Sequence, residues 1–189
     1  MGKIKQVEFF AFTLIPELGG WVAILQQRND FNAESPTGYK KQSYANAYQP
    51  TFCEKAEPGE EDVVTLYRGA KEELGEEAAR ILMMSEKRLP PPSLCITGLK
   101  DRMIDIRAAR VESTILKEIR SEVAGRIRLL PRSLIDSIVP LDREKDKGGV
   151  RPDIVAMFPD ALENLKKAFD WLDRVLAGED PYSCVKGSE

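Results

Sequence analysis

The amino-acid sequence predicts an α/β fold in a single domain. Its N-terminal part carries two apolar segments rich in β-branched and aromatic residues, which is typical of β-strands. Two other segments repeat apolar residues at spacings of three and four, which is typical of amphipathic helices. A chain of 189 residues with 42% hydrophobic residues can bury one substantial core, and a second domain would be a tight fit. We therefore expect one domain over 1–189, with its core at about 5–140 and a helical extension at about 152–178.

Two strands and a long loop are predicted first. Residues 6–15 (QVEFFAFTLI) are apolar on both alternating faces, and the turn at 16–20 (PELGG) joins them to a second strand at 21–28 (WVAILQQR). The short turn makes these strands a hairpin. Residues 29–49 are polar and lack a consistent period, so they predict a long loop, and long loops in compact domains are often functional. A short extended segment follows at 50–56.

An amphipathic helix is predicted over residues 61–74. The apolar residues of its stripe are Val63, Leu66, Tyr67, Ala70 and Leu74. Gly75 is well placed to end this helix, because glycine is common immediately after a helix C-terminus. A second short helix is predicted over 76–89, and the three prolines at 90–92 end it.

Further strands and a terminal helix complete the pattern. Strands are predicted at 93–100 and 103–113, and residues 126–138 predict a strand that runs into a short helix near Pro131. The terminal helix repeats its apolar residues at steps of four and three: Phe158, Leu162, Leu165, Phe169, Leu172 and Leu176. This helix either covers the core or forms a homodimer contact, and packing against its own core is the default expectation.

The composition excludes several classes of function. With 28 basic and 31 acidic side chains the formal charge is −3, so no global positive field attracts nucleic acid. No apolar run approaches the ~18 residues of a membrane span, and three well-separated cysteines without a CxxC pair are typical of reduced thiols in the cytoplasm. The absence of histidine excludes Ser-His-Asp and Cys-His mechanisms. Any chemistry would therefore fall to carboxylates, lysines, tyrosines or a metal ion.

Carboxylates gather at the first predicted helix. Glu72 and Glu73 project with Gly69 to the side opposite the apolar stripe, which predicts an exposed or ligand-facing surface. Arg68 lies one turn before Glu72 and is expected to pair with it. Paired glutamates on a helix are usually a solvated surface, but the turn EPGE, which ends in Glu60, brings another carboxylate to the helix start. Carboxylates from a loop and from one helical face form a hard-oxygen site suited to Mg²⁺ or Mn²⁺.

The segment 54–76 resembles the Nudix box, a loop–helix–loop motif of pyrophosphohydrolases. The box is written G-x5-E-x7-R-E-U-x-E-E-x-G-U, with U a bulky apolar residue. Aligned without gaps, the matching residues are Glu60, Arg68, Ala70, Glu72, Glu73 and Gly75. The order of strands and helices over about 5–140 is also similar to that of the family. The resemblance implies a Nudix fold, an α-β-α sandwich around a mixed β-sheet, here with an amphipathic C-terminal helix.

Three positions depart from the box. Glu54 stands where the motif begins with glycine, Gly69 replaces the glutamate after the arginine, and Glu76 replaces the final apolar residue. The change at Gly69 matters most, because in the family that glutamate helps to bind metal or activates the attacking water. Glycine inside a helix costs about 0.8–1.0 kcal/mol relative to alanine, so helix stability does not explain Gly69. We therefore expect Gly69→Glu to stabilise the helix and, if the site is merely weakened, to increase the affinity for metal.

The resemblance implies a Mg²⁺-dependent attack of water on a diphosphate linkage, with a nucleoside diphosphate-linked compound as substrate. It implies catalytic roles for Glu73 and Glu72, with Arg68 orienting a glutamate. The implied metal ligands are Glu60, Glu72, Glu73 and Glu122. Two alternatives stay open at Gly69. Either activity is lost, which leaves a silent module that binds a nucleotide or another protein, or a carboxylate such as Glu76 or Glu122 compensates.

The loop at 29–49 contains candidate substrate contacts. Tyr39, Tyr44 and Tyr48 are suited to stacking on a base, and Lys40 and Lys41 are suited to binding phosphate. A surface loop with aromatic anchors is the alternative interpretation. Cys53, just before the helix, is expected to be a buried and unreactive thiol, because the chain has no histidine to activate it.

Overall fold

The computed structural model describes residues 4–30, 41–86, 89–99, 102–120 and 125–183. Its strands are β1 (Ile4–Ile15), β2 (Gly20–Gln27), β3 (Tyr48–Gln49), β4 (Phe52–Lys55), β5 (Ser93–Leu99), β6 (Arg102–Val111), β7 (Arg126–Pro131), β8 (Val139–Pro140) and β9 (Ala156–Met157). Its α-helices are α1 (Asp62–Leu74), α2 (Glu76–Met84), α3 (Ile115–Glu118) and α4 (Pro159–Leu176). Short 3-10 helices lie at Pro16–Leu18, Arg132–Ser137 and Asp146–Gly148.

Strand β1 is central in a mixed sheet. It pairs in parallel with β6 along one edge, over 4–13. Along the other edge it pairs antiparallel with β4 over 6–9 and with β2 over 11–15. The sheet order is β5-β6-β1-β2-β3-β9-β8, and β7 is added to β2. A strand in this position is covered on both faces, which explains why β1 is apolar on both.

Thr51 lies where the antiparallel partner of β1 changes from β4 to β2, and it hydrogen-bonds to both β1 and β2. The Thr51 hydroxyl accepts a hydrogen bond from the N–H of Ala11 on β1 at 2.8 Å and donates one to the carbonyl of Ile24 on β2. The backbone N–H of Thr51 donates to the carbonyl of Phe9 at 2.9 Å. These bonds fix the start of β4 against the sheet, and β4 leads through a short turn into α1.

Helices cover both faces of the sheet. Helices α1 and α2 pack on one face, against a core that includes Val7 and Phe9 of β1. Helix α4 packs on the other face, against a core that includes Phe10 and Phe12. Alternate residues of β1 thus enter different cores, as the two-residue period of a strand requires. The α/β class, the mixed sheet and the α-β-α sandwich predicted from the sequence are confirmed.

The apolar stripe of α4 is buried in the chain's own core. Phe169 is fully buried and meets Phe12 edge to face, with ring centroids 4.9 Å apart. The default expectation for the terminal helix is therefore confirmed, and a homodimer stays a prediction. Among the described residues no helix, α4 included, is long and apolar enough to cross a membrane.

Three details of the elements differ from the expectation. The predicted long loop ends at Tyr48, which pairs with Gln27 as part of β3. Helix α2 ends at Met84 and does not continue to residue 89. Tyr67, which was assigned to the apolar stripe, is 37% exposed. The stripe of α1 is therefore narrower than its sequence indicates and is centred on Leu66 and Ala70.

Candidate active site

Arg68 on α1 is the centre of a group of carboxylates. Its guanidinium binds both oxygens of Glu60, with Nε donating to Oε1 at 3.0 Å and Nη2 donating to Oε2 at 2.9 Å. Its Nη1 lies 3.0 Å from Oε1 of Glu54 on β4 and 3.7 Å from Oε2 of Glu72. Its Nη2 also donates to the backbone carbonyl of Lys55 at 2.7 Å. One arginine therefore joins the strand, the turn and the helix, and the predicted pair with Glu72 is the longest of these contacts.

Glu60 is held as an anion at the start of α1. In addition to the bonds from Arg68, its Oε2 accepts from the hydroxyl of Thr65 at 2.8 Å and from the backbone N–H of Glu57 at 3.0 Å. The hydrogen bonds from Arg68, followed by those from Glu57 and Thr65, lower the pKa of Glu60 to about 2. Glu60 is therefore ionised at neutral pH, and both of its oxygens are engaged within the protein.

Glu72 and Glu73 point in different directions. The side chain of Glu72 is 57% exposed and reaches back one turn towards Arg68. Glu73 lies towards the sheet, where Nε2 of Gln26 donates to its Oε2 at 3.4 Å. Burial lowers the pKa of the Arg28 guanidinium, and Tyr44 and the negative charge of Glu73 partly oppose this shift. Glu72 thus faces solvent beside Arg68, and Glu73 faces the end of β2.

Gly69 is buried against β4, which corrects its expected place on the exposed side of the helix. A Cβ atom at position 69 would lie 2.6 Å from Cβ of Glu54 and 3.2 Å from a ring carbon of Phe52. The expectation that Gly69→Glu stabilises the helix is therefore wrong. The propensity gain is less than about 1 kcal/mol, whereas overpacking a close contact costs about 1–3 kcal/mol.

Comparison with solved structures assigns the fold. A mutT/nudix family protein from Listeria innocua superposes with a TM-score of 0.60 at 15% sequence identity, covering 94% of this chain and 98% of that one. A MutT/nudix family protein from Enterococcus faecalis superposes with a TM-score of 0.56 at 14% identity, covering 98% of this chain and 66% of that one. The chain has the Nudix fold. No protein-family model and no curated protein sequence matches the chain, and identities this low show a shared fold and not a shared activity.

Within this Nudix fold Cys53 differs from its expected state, because its side chain is exposed. Nε2 of Gln6 donates to its Sγ at 2.7 Å. The surrounding protein atoms reduce solvation of the thiolate, and this effect raises the pKa of the thiol. The carboxylates of Glu8, Glu54 and Glu73 raise this pKa further by smaller amounts. A thiol that stays protonated is a poor nucleophile and a poor metal ligand, so the expectation that Cys53 is unreactive agrees with the structure.

Two of the tyrosines proposed for substrate binding have contacts within the protein. Tyr48 on β3 is half-buried against the core on the α4 face. The ring of Tyr44 packs edge to face on Phe158 at 4.8 Å, and its hydroxyl donates to the carbonyl of Arg143 at 3.0 Å. These contacts favour the interpretation of both tyrosines as anchors of the loop, and a role in stacking on a base stays a prediction.

Other predicted site residues lie apart from this group or beyond the described residues. Tyr39, Lys40 and Glu122 are outside the described ranges, so their predicted roles stay predictions. Glu76 is exposed at the start of α2, where its Oε2 lies 3.4 Å from Nζ of Lys71. It lies beyond the end of α1, because Gly75 ends that helix with a φ of +95°.

The carboxylates around Arg68 are suitable ligands for a hard divalent cation, but their side chains are not arranged around one cation position. Glu54, Glu60, Glu72 and Glu73 offer only carboxylate oxygens, which are the donors that Mg²⁺ and Mn²⁺ prefer. In the described part of the chain, however, no three acidic or cysteine side chains converge closely enough to hold a metal ion. Arg68 contacts three of the four carboxylates. A cation would therefore be held by these residues only after the side chains turn away from the guanidinium.

Two residues at the site were not predicted from the sequence. Glu54 contacts Arg68, and Arg28 lies within the field of Glu73. The box alignment contained a signal for Glu54. Glu54 stands where the box has glycine, and Gly69 stands where the box has glutamate. The environment of Arg28 depends on the pairing of β2 with β3 and has no local signal in the sequence.

Proposed function

We propose that the chain is a Nudix-type hydrolase that uses Mg²⁺ or Mn²⁺ to cleave a diphosphate linkage in a nucleoside diphosphate-linked compound. The observation that carries this function is the set of carboxylates around Arg68, on the strand, turn and helix of the segment that resembles the Nudix box within a Nudix fold. A divalent cation bound there supplies charge neutralisation for the phosphate oxygens and lowers the pKa of a bound water.

The chain's own residues divide into positioning and ligand roles in this function. Arg68 and Glu60 fix the turn against the helix, since two hydrogen bonds join the guanidinium to both oxygens of the carboxylate. Glu72 and Glu73 are the carboxylates on the helix that are proposed to bind a cation or an attacking water, and their contacts with Arg68 and Gln26 are long, at 3.7 and 3.4 Å. Arg28 beside Glu73 provides a cation for a substrate phosphate. Glu60 becomes a ligand only when Arg68 releases it, and Glu122 keeps its predicted role as a further ligand.

A catalytically silent Nudix-fold module that binds a nucleotide or another protein is the second candidate. Two observations favour it. The box lacks the glutamate at Gly69, and Arg68 contacts carboxylates that a metal would need. A small-molecule nucleotide is the expected ligand of the hydrolase and is one of the two expected ligands of the silent module.

The two candidates are separated by a turnover assay. Purified protein is incubated with Mg²⁺ or Mn²⁺ and a panel of nucleoside triphosphates, dinucleotides, sugar nucleotides and coenzymes, and phosphate-containing products are measured. We expect turnover that Glu73→Gln lowers by about 100-fold or more, the usual effect of removing one group that stabilises transition-state charge. The matched control is Glu77→Gln, because Glu77 is exposed on α2 and pairs only with Arg80 among its described contacts.

Each outcome selects one function. Turnover that needs the cation and Glu73 supports the hydrolase. Binding of a panel compound without turnover contradicts the hydrolase and supports the silent module. Turnover that is equal in Glu73→Gln, Glu77→Gln and the unaltered protein contradicts the assignment of the site to α1.

A further inference from the structure

Glu54 and Gly69 occupy one contact between β4 and α1. A Cβ at position 69 would lie 2.6 Å from Cβ and 3.0 Å from Cγ of Glu54. Both Glu54 atoms lie near its backbone, so a rotation at the end of the side chain cannot remove this contact. Protein interiors are packed too densely to accommodate such an approach without moving the helix or the strand. Only one of the two positions can therefore carry a long side chain in this packing.

The side chain of Glu54 places its carboxylate among the groups of the candidate active site. Its Oε1 lies 3.0 Å from Nη1 of Arg68, the nitrogen that also faces Glu72. Its side chain is 18% exposed, so the carboxylate is neither free in solvent nor sealed in the core. The same oxygen accepts from the backbone N–H of Lys55 at 2.8 Å, which orients the carboxylate over the start of the turn.

We propose that Glu54 supplies from β4 the carboxylate that is missing at Gly69 on α1. Relative to the Nudix box, the glutamate and the glycine of positions 69 and 54 have exchanged places across one contact. The site therefore keeps its number of carboxylates, but this carboxylate comes from the strand and not from the helix. In this role Glu54, once its carboxylate turns away from Arg68, is a ligand for the divalent cation together with Glu72 and Glu73. This role rests on the hydrolase function proposed above.

The exchange also explains the glycine in the middle of α1. Glycine at an interior helical position costs about as much stability as the loss of a weak hydrogen bond, and no turn or positive φ requires it at position 69. Glycine is required at position 69 because the side chain of Glu54 fills the space next to the helix backbone. Of the two carboxylates first considered for compensation, Glu76 lies on α2 and pairs with Lys71, and Glu122 is outside the described residues.

A reciprocal exchange of side chains tests the contact. The proteins are the unaltered chain, Glu54→Gly, Gly69→Glu and the double variant Glu54→Gly/Gly69→Glu. We expect Gly69→Glu alone to lower Tm by about 5 °C, because two long side chains then compete for one space. In the double variant the loss of Tm should largely disappear. Gly148→Glu is the control for adding a glutamate, since no atom lies within 4 Å of a Cβ at Gly148.

Binding of Mn²⁺ alone, followed by electron paramagnetic resonance, tests the role of the carboxylate. Glu54→Gln keeps the shape of the side chain and removes its charge, so Tm should change little while the affinity for Mn²⁺ falls about 10- to 100-fold. The double exchange should restore most of that affinity. Glu77→Gln should bind Mn²⁺ as the unaltered chain does.

The outcomes separate this role from the proposed function. If Gly69→Glu is as stable as the unaltered chain, or if Glu54→Gln binds Mn²⁺ equally well, the role of Glu54 is overturned. Cation-dependent turnover that persists undiminished in Glu54→Gln overturns this role and leaves the hydrolase intact. Mn²⁺ binding that depends on Glu54 in a protein without turnover on the whole panel supports the role and removes the hydrolase.

Discussion

Glu8 is a buried carboxylate on β1 at the face of the sheet that α4 covers. Its Oε2 accepts from Nδ2 of Asn164 on α4 at 2.8 Å, and Nε2 of Gln6 lies 3.5 Å from its Oε1. Burial, with a smaller contribution from the charge of Asp160, raises the pKa of Glu8, while the bond from Asn164 and the charge of Arg102 lower it. Because burial has the largest effect, the native state holds the proton of Glu8 more tightly than the unfolded chain does.

Replacement of Glu8 by glutamine is expected to make stability less dependent on pH. A raised pKa in the native state means that the contribution of Glu8 to stability is fully present below the unfolded pKa. It is lost as the pH rises through the native pKa. Glu8→Gln keeps an oxygen that accepts from Asn164 and carries no charge at any pH. The free energy of unfolding of the variant should therefore exceed that of the unaltered protein at pH 8, and the difference should shrink towards pH 4.

Urea unfolding at both pH values measures this difference. Glu163→Gln is the control, because Glu163 is an exposed residue of α4 that pairs with Lys167. A difference in the free energy of unfolding between the two proteins that is the same at pH 4 and at pH 8 would contradict the prediction. It would show that ionisation of the buried Glu8 does not destabilise the native state.

The junction between α1 and α2 depends on the backbone of one glycine. Gly75 has a φ of +95° and a ψ of 161°, in a region that is open essentially to glycine alone. Its N–H donates to the carbonyl of Lys71, and the carbonyl of Leu74 accepts from the N–H of Arg120. The helix therefore ends where the Nudix-box spacing predicts, and the carbonyls of Lys71 and Leu74 in its last turn have partners.

Gly75→Ala is expected to reduce the free energy of unfolding by about 1–3 kcal/mol, the range for a side chain at a strained backbone position. A Cβ at Gly75 would lie no nearer than 3.6 Å to the side chain of Arg120, so the cost comes from the backbone and not from crowding. Gly148→Ala is the matched control, because Gly148 has no positive φ and open space around it. Equal losses in the two variants, measured by urea unfolding, would contradict this account of the junction.

The whole molecule depends on both helical layers covering the sheet. The face under α4 contains Phe10, Phe12, Ile104 and Ile106 of the central strands. Without α4 these residues would form a contiguous apolar surface on the sheet. The layer that contains the candidate site and the layer built by α4 share the central strand β1, so loss of either layer exposes side chains of that strand.

Phe169→Ala is expected to cost about 3–5 kcal/mol in the free energy of unfolding, the range for removing a fully buried aromatic side chain. Phe169 packs on Phe12, and the guanidinium carbon of Arg132 lies 5.3 Å from the centre of its ring. Leu176→Ala is the control on the same helix, because Leu176 is 48% exposed and its loss should cost less than about 1 kcal/mol. Similar small losses in both variants would mean that α4 does not cover the core.

The longer helices and strands and the spacing of the box were determined by the sequence itself, whereas α3, β8 and β9 were not predicted from it. Apolar periodicity placed α1 and α4 within a few residues of their ends, and Arg68, Glu72 and Gly75 kept the helical spacing of a Nudix box. Such patterns are local, because residues three and four apart share one face of a helix whatever surrounds it. The β1–β2 hairpin was likewise predicted from segments rich in β-branched and aromatic residues and from the short turn between them.

The rotation of α1 about its own axis and the partners of its residues were decided only by the tertiary structure. The apolar stripe placed Gly69 on the exposed side, but α1 turns so that Gly69 meets Glu54 on β4 and Tyr67 lies at the edge. The position of β4 in this contact is set by its pairing with β1 and by the hydrogen bonds of Thr51, and no periodic pattern along the sequence predicts its approach to α1. The sequence therefore determined which carboxylates are present, whereas packing between α1 and β4 decided that Glu54 belongs among them.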